Sequence, residues 1–124
     1  MTPNMMAQRA YSARISPVQS PRRTEYDLFA QVTHRLTQAA RLGKSGFAAL
    51  AEAIHDNREL WTTLAVDVAD SDNGLPEDLR AQIFYLAEFT QVHSRLVLKK
   101  QASVVPLIEI NAAIMRGLRS GKKQ

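Results

Sequence analysis

Apolar residues recur at intervals of three and four along almost the whole of this chain, and no stretch alternates polar with apolar. A half-buried strand needs a period of two and a core-facing helix one near 3.6, so the pattern leaves helices as the available building unit. The apolar set agrees, because 17 Ala and 13 Leu, both strong helix formers, dominate it. Each wide apolar stripe must be buried against another, and a chain of 124 residues is too short for two independent cores. The expected fold is therefore all-α, one small bundle of about four helices.

Punctuation divides the chain further. Pro3, Pro17 and Pro21 make residues 1–23 an irregular, flexible basic arm, with one or two helical turns around Met5 to Tyr11. The bundle domain then spans 24–119, and a basic tail covers 120–124. Thr24 reads as the N-cap of helix A, with Asp27 completing a short capping box. Its stripe is Leu28, Phe29, Val32, Leu36, Ala39 and Ala40, and Gly43 ends it as a C′ residue. Ser45 can cap the next segment, where Phe47, Leu50, Ala51 and Ile54 share one face and Leu60, Trp61, Leu64, Ala65 and Val68 share another. The two runs are in phase only if Asn57 and Arg58 occupy the buried stripe; otherwise Asp56, with Glu59 three residues on, caps a new helix. Both readings stand at this level. Residues 70–76 form a loop rich in Asn, Gly and Pro. Helix C, about 76–100, is apolar nearly all round at Ile83-Phe84-Tyr85-Leu86-Ala87, which predicts a central helix packed on both sides. Ser103 opens helix D with Pro106 in its first turn, and the stripe there is Leu107, Ile108, Asn111, Ile114, Met115 and Leu118.

Several function classes fall away. The chain has no cysteine, which removes disulfides, thiolate metal sites and cysteine nucleophiles together. Without a signal-like apolar segment or a run of about 20 apolar residues, a soluble cytoplasmic protein with no membrane insertion is expected. The net charge of +4 sits at the ends. Arg9, Arg14, Arg22 and Arg23 precede the domain, Arg116, Arg119, Lys122 and Lys123 close it, and the 8 bases and 12 acids between leave residues 24–115 at −4. That sign disfavours a phosphate-binding face. Glu52 and His55 have the spacing of half a carboxylate-histidine di-iron motif, but neither His34 nor His93 has an acid three residues before it, so no metal or cofactor is expected. No nucleophile elbow or glycine-rich phosphate loop occurs, and an enzyme is not expected.

What remains is apolar surface. Trp61 continues the Leu60, Leu64, Val68 stripe and reads as core before it reads as an interface anchor. Asn111 interrupts an apolar stripe, so its amide must find partners, with Asn57 or Arg58 as candidates. A bundle this small with one helix apolar all round leaves spare greasy surface, suited to a partner's amphipathic helix or to the arm around Met5, Met6, Tyr11 and Ile15.

Four segments in order, Arg23-Thr24-Glu25-Tyr26-Asp27-Leu28-Phe29, Asn57-Arg58-Glu59-Leu60-Trp61, Asn73-Gly74-Leu75-Pro76 with Leu79-Arg80-Ala81, and Leu107-Ile108-Glu109-Ile110-Asn111 with Ile114-Met115-Arg116-Gly117-Leu118, resemble the flagellar biosynthesis regulator family FlaF over about residues 7–118. The resemblance implies a cytoplasmic protein needed for flagellin to be made and exported. It would act as a flagellin-binding secretion chaperone beside an FlbT-type regulator and the flagellar export machinery. The family's recurring positions fall on Tyr26, Phe29, Asn57, Arg58, Trp61, Pro76, Arg80 and Asn111; together with Phe89, all but Pro76 are the candidate partner-binding residues. Lys99-Lys100-Gln101 departs from the pattern, where relatives are expected to carry a glycine. The alternative function is a post-transcriptional regulator that binds flagellin message directly through the basic ends, although Tyr11 is their one aromatic residue and a single ring gives little interleaving for base stacking.

Overall fold

The structure, a computed structural model, describes residues 21–120, with side chains described for 26–116. The predicted arm and tail lie outside the described residues, apart from the first helix's opening turn. Four helices and no strand occur among the described residues: α1 Pro21–Arg41, α2 Phe47–Ala69, α3 Glu77–Leu98 and α4 Val105–Ser120. α1 begins at Pro21, three residues before the expected cap, so Thr24 lies within the helix and not at its N-cap position. Proline suits a first helical position because its missing N–H is one that the helix leaves unpaired there anyway.

Gly43 takes φ +62° after α1, the left-handed conformation expected of a C′ glycine. A single 3-10 turn, Gly43–Gly46, then carries the chain into α2. Ser45 is no N-cap: its hydroxyl donates back to the Leu42 carbonyl at 2.9 Å, and Gly46 holds the cap position. Gly46 is required there, because a Cβ would come within 2.5 Å of the Ala39 carbonyl oxygen. α2 runs unbroken through residue 56, with Asn57 fully buried in its stripe. Asp56 accepts a hydrogen bond from Arg35 Nη1 at 2.6 Å and ties α2 to α1 instead of starting a helix.

The second turn is built on side chains. Asn73 Nδ2 donates to the Asp67 carbonyl (2.8 Å), while its Oδ1 accepts from Leu75 N–H (3.0 Å). Arg80 reaches back from α3, with Nε donating to Val68 O (2.7 Å) and Nη2 to Asp70 O (3.0 Å). Carbonyls at the end of α2 have no helical partner, and this guanidinium supplies one. Pro76 occupies the cap position of α3, with Glu77 and Asp78 in its first turn. The third turn closes as a Schellman motif, Gln101 N–H to Leu96 O and Lys100 N–H to Val97 O, both 2.9 Å. Lys100 itself has φ +62°, the conformation a glycine would take, and its Nζ lies 4.8 Å from the centre of the Phe47 ring. Ser103 Oγ accepts from Val105 N–H to start α4.

α2, not α3, is the central helix. It packs along both α1 and α3, α1 also packs along α4, and α3 meets α4 only marginally. The core has two layers. Near the α2–α3 turn, Phe29, Trp61, Leu64, Val68, Leu75, Ile83, Ala87 and Ile114 cluster. Towards the opposite end, Val32, Leu36, Ala53, Ile54, Val97, Val104 and Leu107 do so. The apolar surround of helix C was read as two buried faces, yet Phe84, Tyr85 and Val92 point outward, 39%, 66% and 51% exposed. Small residues such as Ala53 and Ala65 let α2 accept neighbours closely; α3 has one neighbour along its length, so one of its apolar faces stays open.

Candidate functional site

Inside the bundle an amide joins two helices whose backbones hardly approach. Trp61 Nε1 donates to Asn111 Oδ1 at 3.0 Å, and Asn111 Nδ2 donates to Asn57 Oδ1 at 2.7 Å. All three residues are fully buried, and Phe29 meets the Trp61 indole edge-on with ring centres 5.7 Å apart. In a water-free interior such a chain of bonds holds only in one register, because slipping it orphans an indole N–H and an amide together. The expected link between Asn111 and Asn57 is present. Arg58 is not part of it.

Arg58 belongs to the outer seam between α2 and α3. Its Nε donates to Gln91 Oε1 (2.7 Å), and Gln91 Nε2 donates to Arg58 O (3.2 Å) and to Thr62 Oγ1 (3.0 Å). Gln91 thus staples the two helices along a row of three open depressions, at the junction of the first two. A wide polar one, about 720 Å³, is lined by His55, Arg58, Glu59 and Thr62 among others. The middle one, about 200 Å³, is walled almost entirely by carbon from Ala65, Val66, Ala69, Phe84 and Ala87. The third, about 340 Å³, reaches the α2–α3 turn at Val68, Glu77, Arg80 and Tyr85. Thr62 and Gln91 are common to the first two, and Ala69, Phe84 and Glu88 to the last two, so they form one continuous groove. A long channel with an apolar middle between two helices is the shape that receives a third amphipathic helix.

The eight candidate partner-binding residues divide on this geometry. Phe29, Asn57, Trp61 and Asn111 have no accessible surface to offer and hold the scaffold. Tyr26 is half-buried against the layer near the α2–α3 turn. Phe89 is half-buried and stacks on His93, ring centres 5.3 Å apart, while His93 Nε2 lies 2.7 Å from the Ser103 carbonyl oxygen and braces the α3–α4 turn. Arg58 and Arg80 alone line the groove. Recurrence of Tyr26, Phe29, Asn57, Trp61 and Asn111 in a family pattern thus has a structural account. Thr62, Val66, Phe84, Glu88 and Gln91 were missed. The signal was available in part, since Thr62, Val66 and Ala69 repeat at helical spacing away from the Trp61 stripe.

Glu52 and His55, the half motif, are both exposed. Ligand atoms of His55, Asp56 and Glu59 do lie within 4.8 Å of one another. Asp56 is already engaged by Arg35, and the other two side chains are about 70% exposed, so the cluster reads as a solvated helix face. No helix among the described residues is long and apolar enough to cross a membrane.

A comparison with curated proteins finds no match, and neither does one with solved structures. The family model described as flagellar protein FlaF matches residues 7–118, which takes in the first three helices, the fourth except its last two residues, the Asn73 to Arg80 turn and the buried Trp61–Asn111–Asn57 chain. On that extent of agreement, over nearly the whole sequence, the chain belongs to the FlaF family of flagellar proteins.

Proposed function

We propose that this chain is a cytoplasmic flagellin-binding protein, a secretion chaperone that covers an amphipathic terminal segment of unassembled flagellin until export and so prevents premature polymerisation. It works by contact and carries out no chemistry of its own. An FlbT-type regulator and the export machinery are the further partners of this reading. The observation that carries it is the open apolar groove between α2 and α3 in a member of a flagellar family. A small bundle with a packed core has no structural need to leave Val66 65% exposed beside Phe84; a protein that binds another helix does.

Co-expression of flagellin with the tagged, folded protein tests the proposal. Flagellin retained on the affinity resin, and released from it by Phe84→Asp without loss of helix signal, is the expected result. Absence of flagellin beside a demonstrably folded bait would overturn it. Binding of flagellin message through the basic ends ranks behind, because residues 24–115 between those ends carry a net charge of −4. A gel shift on leader RNA that survives removal of both ends would exclude it.

A further inference from the structure

Resting on the flagellin reading, we infer that the groove takes one kind of occupant: a partner's amphipathic helix of about four turns whose apolar stripe is bordered by lysine or arginine. Length comes first. α2 lines the groove from His55 to Ala69 and α3 from Glu77 to Gln91. At 1.5 Å per residue, a straight helix of about 14 residues, roughly 21 Å, fills it. The carbon-lined middle around Val66 and Phe84 takes the occupant's central aliphatic side chains, spaced three and four apart.

Charge decides the border. Both cations in the walls are turned to internal work, Arg80 on the Val68 and Asp70 carbonyls and Arg58 on Gln91. The carboxylates face outward. Glu59 stands at the polar end, Glu88 beside the carbon-lined middle and Glu77 at the turn, all exposed, and among the described residues their one side-chain partner is His55, 3.5 Å from Glu59. These acids run the length of the groove. A helix edged with carboxylates would set like charges against them, whereas one edged with ammonium or guanidinium groups gains at each.

The test uses the full chain and two 15-residue peptides with the same leucine stripe, one flanked by lysines and one by glutamates, with binding read by fluorescence anisotropy. The wild-type protein is expected to bind the lysine peptide about tenfold tighter, and the double variant Glu59→Lys/Glu88→Lys to reverse that preference. Glu109→Lys, an exposed change on α4, keeps the wild-type preference. No preference in the wild type, or one that the double variant leaves untouched, overturns the inference. So does an occupied groove: concentration-dependent dimers abolished by Phe84→Asp assign it to a second copy, and rapid disulfide formation within monomers of Met6→Cys/Val66→Cys assigns it to the chain's own first residues. Pull-downs of flagellin with the same variants separate the two levels. Flagellin retained equally by wild type and double variant sinks the groove assignment and leaves the chaperone reading standing. The reverse, peptide reversal without flagellin retention, sinks the chaperone reading alone.

Discussion

The interior where α1, α2 and α4 meet and the flank formed by α3 are built on different terms. In the interior, bulky side chains interlock and the buried amide of Asn111 is bonded on both sides, to Trp61 and Asn57. Unpartnered buried polar atoms occur in both, Thr33 Oγ1 and Asn57 Nδ2 in the interior and the Thr90 and Ser94 hydroxyls on the flank, but on the flank Phe84, Tyr85 and Val92 also stand exposed. Large apolar side chains facing outward on one helix are what set the flank apart. One region is organised for a single packing, and the other leaves an apolar face open.

The contrast can be broken by experiment. Asn111→Ala strands the Trp61 indole N–H and the Asn57 amide at once, and urea unfolding should register a loss of about 3 kcal/mol. A loss under 1 kcal/mol would mean the interior chain specifies nothing. Gly46→Ala drives a Cβ into the Ala39 carbonyl where α1 turns into α2, and about 2 kcal/mol should be lost in the same assay. On the flank the sign changes. Thr90→Val replaces an unpaired buried hydroxyl by a methyl of similar shape, and should raise stability by about 1 kcal/mol. Lys100→Gly relieves the left-handed backbone at the end of α3 but gives up the contact with Phe47, for a net gain of about 0.5 kcal/mol in thermal melts. Phe84→Asp should change stability least of all, by under about 0.5 kcal/mol, because the ring is already partly in water. A large destabilisation there would make the groove part of the core and erase the comparison.

Much of this arrangement was legible from residue order. The stripe through Trp61, the loop at Asn73 to Pro76, the C′ role of Gly43 and the need of Asn111 for a partner all follow from local rules that act within a few residues. Lys100 was legible as an anomaly, a lysine where a glycine was due, and the structure shows it taking the glycine's conformation. Errors arose where a local signal met a longer-range one. Thr24 and Ser45 have good capping side chains, yet the helix boundaries fall where Pro21 and the Gly43–Gly46 turn put them. The apolar girdle of α3 was misread because periodicity counts apolar faces without saying which has a neighbour. Arg80 could not be assigned at all by spacing, since its partners at Val68 and Asp70 lie across a turn.

Alone, the order of residues determined the helical period and the turns at Gly43, at 70–76 and before Ser103, because each depends on interactions that span less than two turns of chain. Which helix stands at the centre, which apolar face remains open and which carboxylates line it were decided only by tertiary packing. Those properties belong to pairs of helices, and a stripe on one helix holds no record of where its neighbour will lie.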